Sequence, residues 1–160
     1  MEKRLKSSAQ RVQDVLHQHD VGFTVIEFKE TTRTSQEAAQ AIGCTVGQIA
    51  KTLIFKGKHT GNPICIIASG INRVDEKKVI ALVGEPIEKP DADFVLKHTG
   101  FAIGGVPPIG YMLDTKPFID HDLTSHTEIW AAAGTPNSVF KLSPTDLLKI
   151  TNGKISDIKT

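Results

Sequence analysis

Cysteine is scarce in this chain, which argues against two classes of small protein. The 160 residues include two cysteines, Cys44 and Cys65, with neither a CxxC spacing nor a partnered histidine motif. Two isolated thiols provide neither a disulfide framework nor the ligand spacing of a zinc site. This cysteine usage fits a reducing compartment.

An excess of one charge and long apolar runs are also missing. Lys and Arg total 19 against 18 Asp and Glu, a formal net charge of +1. A near-neutral chain has no overall basic field for nucleic acid, so any such contact must be local. No window approaches a membrane span, and no apolar stretch of a secretory signal follows the charged N-terminus. We therefore expect a cytoplasmic protein.

Length and apolar content indicate one domain. With 39% apolar residues, a chain of 160 residues can build one sizeable core and is too short for two comfortable ones. Neither an internal repeat nor a low-complexity linker divides it. We predict a single domain over residues 1–151 and a polar C-terminal tail over residues 152–160.

Apolar periodicity and capping residues predict a mixture of helices and strands. Val12, Val15, Leu16 and His19 indicate an amphipathic opening helix that Gly22 would end. Further helices are predicted at residues 35–42, 75–83, 91–98 and 144–151, with a short helical turn at 45–48. Strands are predicted at residues 24–28, 51–56, 63–69, 111–113, 117–120, 127–132 and 138–142. Hairpins between these strands favour a mixed, mostly antiparallel sheet with surrounding helices, so the predicted fold class is α+β.

The most unusual stretch is the Gly/Pro loop, residues 100–110, which reads G-F-A-I-G-G-V-P-P-I-G. Paired glycines let a backbone turn sharply or let another molecule approach its N–H groups. Pro107 and Pro108 then fix φ and remove two donors, so the loop should be stiff. A rigid connection between strands is the simplest interpretation of such a loop.

A second interpretation combines this loop with a distant lysine. The amides of Gly104, Gly105 and Val106 are candidates for a preformed cradle for an anion or a carbonyl group. Lys51 begins a strand with an apolar middle, so its ammonium either extends to solvent or enters a pocket. With an amide cradle elsewhere in the chain, the pocket becomes the better interpretation.

Four segments together resemble one known family. The chain contains, in this order, E-A-A-x-A-I-G-C, G-Q-I-A-K-T-L-I-F, T-G-F-A-I-G-G-V-P-P-I-G and A-A-G-T-P-N-S-V-F-K-L-S-P-T-D-L-L. This combination resembles the YbaK/prolyl-tRNA synthetase-associated editing family over nearly the whole chain. The resemblance implies a single-domain aminoacyl-tRNA deacylase acting in trans. Its substrate would be a tRNA, typically tRNA(Pro), that carries a small wrong amino acid such as Cys or Ala.

The resemblance also assigns roles to residues. The lysine of the family's Q-x-x-K-T/S strand falls on Lys51, which would bind and orient the substrate near the acceptor end. The family's G-x-x-x-P loop falls on residues 104–108. Amides of this loop, including that of Gly104, would hold the aminoacyl carbonyl. Water would attack with help from the terminal ribose hydroxyl, and neither cofactor nor metal is implied. The implied partner is the acceptor end of mischarged tRNA, and an aminoacyl-tRNA synthetase is a further candidate.

Four other positions are candidates for substrate binding. By resemblance, Ala133 and Gly134 line the pocket, although a hairpin turn would also explain them. Many relatives have serine where this chain has Ala132, which bears on amino-acid specificity. Arg33 precedes a helix and could meet acceptor-end phosphates, or it belongs to a solvated loop. Phe28 could form a pocket wall, although an aromatic residue at a strand end usually packs in the core.

Two alternative functions remain open from the sequence. A noncatalytic module could use the same pocket to bind the tRNA acceptor end, a nucleotide or a free amino acid. A cysteine hydrolase could use Cys44, which follows a glycine near a helix end. The first alternative predicts binding without ester loss, and the second predicts inactivation by thiol alkylation.

Overall fold

The computed structural model describes residues 7–18, 24–109 and 116–160, which form five α-helices and one sheet of eight strands. The helices are Ser7–Gln18 (α1), Ser35–Ile42 (α2), Glu76–Val83 (α3), Ala92–Thr99 (α4) and Pro144–Thr151 (α5). The strands are Val25–Glu27 (β1), Ile49–Gly57 (β2), Pro63–Ser69 (β3), Ile87–Glu88 (β4), Phe118–Asp120 (β5), Ile129–Ala132 (β6), Ser138–Leu142 (β7) and Lys154–Ser156 (β8). The predictions at His19, Gly22, Gly110 and residues 111–113 lie outside the described residues.

The helix boundaries follow the capping residues that the sequence supplies. At the start of α2, the Thr34 hydroxyl accepts a hydrogen bond from the Glu37 amide at 3.0 Å. Its end is Gly43, whose φ of 85° is the left-handed conformation that glycine adopts without strain. Helix α5 begins in the same way, because the Ser143 hydroxyl accepts from the Asp146 amide at 3.0 Å. The predicted helices at these positions are confirmed.

The sheet is mixed, and its strand order is β1-β7-β6-β2-β3-β5-β8, with β4 also paired to β2. Strands β2 and β3 form the central antiparallel hairpin, in which Lys51 lies opposite Ala68. The pairs β1–β7, β2–β4 and β6–β7 are also antiparallel, whereas β2–β6, β3–β5 and β5–β8 are parallel. The predicted α+β class with a mostly antiparallel sheet is confirmed.

Both faces of β2 pack into apolar clusters. Ala50 and Ile54 contact the cluster that includes α1, α4 and the Gly/Pro loop. Leu53 and Phe55, on the other face, pack against the cluster that includes α3 and β4. Residues 51–54 of β2 are only partly buried, so this stretch of the strand is the part that a ligand can reach. No helix in the described part of the chain has the length and apolar character needed to cross a bilayer.

The structure differs from the predicted polar tail after Thr151. Residues 154–156 add strand β8 to the sheet beside β5, and Val74 forms an isolated bridge with Lys159. The side chain of Ile158 is 1% exposed within the cluster around α3. This segment therefore completes the fold. The two-residue strand β4 was likewise not predicted.

We expect Ile158→Ala to lower the free energy of unfolding by about 2 to 5 kcal/mol, because it leaves a cavity in a packed cluster. Ile155 is a matched control, since it lies in the same segment and is 37% exposed. Its replacement by alanine should cost well under half as much. Urea denaturation followed by circular dichroism measures both variants. Equal, small losses would show that the C-terminal segment does not contribute to the core.

Candidate active site

A cavity of about 640 Å³ lies along the edge of β2. Residues 49–55 form one side of it. Its other sides come from residues 32–36 before and within α2, the segment after β3, the Gly/Pro loop and β6. We call it the β2 cavity. It brings together parts of the chain that are far apart in sequence, as ligand sites usually do.

The cavity exists because one edge of β2 is only partly paired. On one side, residues 50–56 pair continuously with β3. On the other side, β6 pairs only at residues 49–50, and β4 joins only at residues 56–57. Pro90, just beyond β4, also lines the cavity and has no N–H with which to extend the pairing. Residues 51–55 are therefore left with an open edge.

The pairing pattern also shows which main-chain groups face this edge. The Gly57 amide donates to the Asn62 carbonyl at 3.0 Å, and the Gly70 amide donates to the Ile49 carbonyl at 2.8 Å. Odd-numbered residues of β2 thus direct their N–H and C=O groups toward β3, because these directions alternate along an antiparallel strand. The N–H and C=O groups of Thr52 and Ile54 point the other way, where neither β6 nor β4 pairs with them.

Lys51 lies on the cavity wall and is partly buried. Its Nζ donates a hydrogen bond to the Asn72 carbonyl oxygen at 2.7 Å. Burial lowers the pKa of Lys51 below its ordinary value, and the nearby Asp120 carboxylate partly opposes this effect. The cavity wall therefore includes a lysine whose ammonium group is held by a main-chain carbonyl.

The residue that holds Lys51 is itself fixed by two carboxylates. The Asn72 side-chain amide donates to Asp120 Oδ2 at 2.8 Å and to Asp122 Oδ2 at 2.9 Å. Asp122 also accepts from Lys159 Nζ at 2.8 Å, and this bond is the main cause of the lowered pKa of Asp122. Neither Asn72 nor Asp120 was predicted from the sequence as a site residue. The sequence feature that could have indicated Asn72 is the polar pair Asn72 and Arg73, which follows a buried strand.

The Gly/Pro loop contributes Gly104 and Val106 to the cavity wall. Gly104 has a φ of 97°, a conformation that residues with a Cβ atom rarely adopt. Within the described part of the chain, the amides of Gly104 and Val106 donate no hydrogen bond.

The structure corrects the prediction that the Gly105 amide belongs to the cradle. Its amide donates to the Ala102 carbonyl at 3.2 Å, and its carbonyl accepts from the Gly134 amide at 2.9 Å. The Gly105 amide is therefore used inside the protein, and Gly105 lies outside the cavity lining. It ties the Gly/Pro loop to the turn after β6.

The cavity also has several charged residues around it. Arg33 lines it beside Gly104, where a Cβ built on that glycine would lie 3.4 Å from Arg33 Cγ. Arg73 and Lys89, which the sequence analysis did not select, line it as well, together with one acid, Glu76. Arg33, Arg73 and Lys89 are exposed, so these cations are accessible to a large anionic partner.

Several predicted site residues are not on the cavity wall. Ala132 lines the cavity, whereas its neighbours Ala133 and Gly134 are buried behind it. Phe28 also lies outside the lining, and its amide donates to the Asn137 carbonyl at 2.8 Å in a continuation of the β1–β7 pairing. Further predicted residues outside the lining are Pro107 and Pro108, which are buried and support the loop.

The geometry does not favour a cysteine nucleophile. Cys44 lies outside the cavity lining, and burial raises the pKa of its thiol, which disfavours the reactive thiolate. Cys65 is buried in β3. In the described residues, no group of three or more His, Cys, Asp and Glu side chains is placed to hold a metal ion.

Comparison with known proteins gives a consistent result. The sequence model of a family described as "Aminoacyl-tRNA editing domain" matches residues 29–150. The chain is 33% identical over 131 residues to "Uncharacterized protein YwhH" of Bacillus subtilis, covering 82% of this chain and 83% of that protein. It is 28% identical over 158 residues to "Putative Cys-tRNA(Pro)/Cys-tRNA(Cys) deacylase EbsC" of Enterococcus faecalis, covering 97% and 94% of the two chains.

A solved structure shares the complete fold. It is described as "a putative trans-editing enzyme for prolyl tRNA synthetase", and it superposes with a TM-score of 0.92. The two chains are 42% identical, and the match covers 98% of this chain and 99% of the other. The matched regions include the β2 cavity and the segments that surround it.

Proposed function

Because this chain belongs to the aminoacyl-tRNA editing domain family, we propose that it hydrolyses the ester bond of a mischarged tRNA. The proposed substrate is tRNA(Pro) that carries a small wrong amino acid, such as Cys or Ala. The observation that most supports this proposal is that Lys51, Gly104 and Val106 line the same cavity, and that the amides of Gly104 and Val106 donate no hydrogen bond within the described chain. The name of the relative EbsC includes Cys-tRNA(Pro), which supports the choice of tRNA.

The proposed chemistry needs few groups, because an aminoacyl ester is already activated. A water oxygen attacks the carbonyl carbon, the bond from that carbon to the ribose oxygen breaks, and the ribose hydroxyl leaves with a proton. By family resemblance, the neighbouring ribose hydroxyl assists the water. In this proposal the Gly104 and Val106 amides stabilise the oxyanion, and one such donor is commonly worth about 3 to 4 kcal/mol. Lys51 orients the acceptor end through its ammonium.

The exposed cations around the cavity suit the rest of the substrate. Arg33, Arg73 and Lys89 are accessible and could contact the phosphates next to the terminal adenosine. Three cations are enough for a local contact with the acceptor end, but they are too few for an extended interface along the tRNA. A prolyl-tRNA synthetase is a proposed partner, since the solved relative is described as acting for that enzyme.

The direct test follows ester loss from a panel of mischarged tRNAs. We expect tRNA(Pro) carrying a small wrong amino acid to be deacylated well above the spontaneous rate, while Pro-tRNA(Pro) is spared. Each methylene that separates two amino acids in a pocket is worth only about 1 to 3 kcal/mol, so neighbouring sizes should be cleaved at graded rates. Prior alkylation of the thiols should leave the rate unchanged.

Two outcomes would contradict the proposal. Binding of the tRNAs without ester loss across the whole panel would favour the noncatalytic module. Loss of activity after alkylation of Cys44 alone would favour the cysteine hydrolase.

A further inference from the structure

Asp120 is a buried acid that the proposed chemistry does not use. It is 1% exposed and ends strand β5, in the interior of the described chain. Its Oδ2 accepts hydrogen bonds from the Ser69 amide at 3.0 Å and the Asn72 side chain at 2.8 Å, and its Oδ1 accepts from the Asp122 amide at 2.9 Å. A buried carboxylate is costly unless its oxygens are satisfied, and here three donors satisfy them.

One of these donors leads directly to the β2 cavity. Asn72 donates through its side chain to Asp120 and accepts through its carbonyl from Lys51 Nζ at 2.7 Å. Because the Asn72 side chain also donates to Asp122 at 2.9 Å, two carboxylates restrain this residue. Its carbonyl is therefore fixed at the point where the lysine ammonium needs a partner.

We propose that Asp120 is a positioning residue that acts through Asn72 to hold the Lys51 ammonium at the wall of the β2 cavity. The expected effect on the deacylation rate rests on the proposed function. The expected effect on protonation of the Lys51 ammonium does not. Asp120 lies outside the cavity lining, so the role proposed for it is exerted through Asn72 and it is not proposed as a catalytic residue.

The charged groups around Lys51 determine the sign of the effect. Asp120 and Asp122 approach from the end of β5 and the turn after it, and Lys159 from the C-terminal segment pairs with Asp122 at 2.8 Å. Arg33, Arg73, Glu76 and Lys89 line the same cavity from other segments. Burial lowers the pKa of Lys51, whereas the Asp120 charge raises it. Removal of that charge should therefore lower the pKa of Lys51 further.

The main variant is Asp120→Asn, which keeps the side chain's size and removes its charge. We expect kcat/KM for the mischarged tRNA to fall about tenfold or more. The lysine is still present in this variant, but its ammonium is no longer held in position, and misplacement of an orienting group lowers the rate. The loss should lie mainly in kcat. The alkaline limb of the pH–rate profile should move to lower pH, since a nearby opposite charge stabilises the ammonium form.

A direct titration separates this inference from the proposed function. The 13Cε resonance of Lys51, followed against pH, reports protonation of the ammonium without any tRNA. Its midpoint should be lower in Asp120→Asn than in the unmodified protein. Asp157→Asn is the control, because it removes an exposed acid that pairs with Lys78 at 2.9 Å, and it should move neither the midpoint nor the rate.

The outcomes are distinct. If the unmodified protein deacylates no tRNA but the Lys51 midpoint falls in Asp120→Asn, the proposed function fails and the electrostatic part of the inference holds. If deacylation is present and Asp120→Asn keeps the unmodified rate and midpoint, the inference is overturned. If Asp120→Asn does not fold, Asn72→Ala replaces it, because this variant keeps the carbonyl and removes its restraint. A tenfold lower kcat would then support the inference, and an unchanged kcat would overturn it.

Discussion

Replacement of Lys51 by alanine is expected to abolish deacylation while the protein stays folded. Loss of the ammonium removes the group proposed to orient the acceptor end, and loss of orientation costs about 100-fold or more in kcat/KM. The folded state loses one hydrogen bond, to the Asn72 carbonyl, and it also loses a partly buried charge. These effects oppose each other, so we expect stability to change by only about 1 kcal/mol.

The control for this variant lies in the same strand. Lys56 is also half-buried in β2, but it is outside the cavity lining and its Nζ lies 5.2 Å from the centre of the Phe94 ring. Single-turnover deacylation and thermal unfolding should be measured for Lys51→Ala and Lys56→Ala together. We expect near-normal turnover from Lys56→Ala. Wild-type turnover of every mischarged tRNA by Lys51→Ala would refute the role of the lysine.

Gly105→Ala is expected to impair both stability and activity, although Gly105 does not reach the cavity. A Cβ atom built there would lie 2.7, 2.8 and 2.9 Å from the Thr135 main-chain atoms C, N and Cα. Main chain cannot rotate aside as a side chain can, and Thr135 is also held by a 2.6 Å bond between its hydroxyl and that of Ser138. Overpacking of this kind typically costs about 1 to 3 kcal/mol.

The effect on activity follows from the position of Gly105 between the two free amides. A displacement at Gly105 must move Gly104 and Val106, because they are its neighbours in the chain. We expect kcat/KM to fall at least tenfold at temperatures where the variant is still folded, since oxyanion donors act only at the right distance. Urea denaturation and deacylation kinetics measure the two losses.

Gly47→Ala is the matched control, because Gly47 is also buried and has no positive φ. The atoms nearest to an added Cβ there would be side-chain atoms of His126 and Ile71, at 3.4 Å or more, which is ordinary contact. We expect normal activity and stability from this variant. Equal behaviour of the two glycine variants would mean that contact with Thr135 does not determine the shape of the loop.

The local structure could largely be predicted from the sequence, because short-range signals specify it. Thr34 and Gly43 mark both ends of α2, and the four family segments identified the family that the comparisons confirm. Strands β4 and β8 were not predicted, because β4 has only two residues and β8 lies in a mainly polar segment after the last helix. Their position depends on pairing with distant strands, which no local pattern records.

The candidate site could be predicted less completely, because it depends on which strands pair in the sheet. Lys51 and Gly104 stand out by composition, but Asn72 and Asp120 look like ordinary turn residues. They meet because β3 and β5 pair in parallel with Ile67 opposite Ile119, which places the ends of both strands side by side. The bond from the Gly105 amide to Ala102 was also not foreseeable, since it depends on how the loop closes on itself.

The open edge of β2 affects how the ligand selectivity of such a cavity could change during evolution. The donors and acceptors at positions 52 and 54 belong to the main chain, so every residue except proline supplies the full set. Exchanges of the surrounding side chains, such as Ala132, can thus reshape the pocket and alter which substituent it accepts. A framework of this kind stays constant under mutation, and new selectivities can arise around it by small steps.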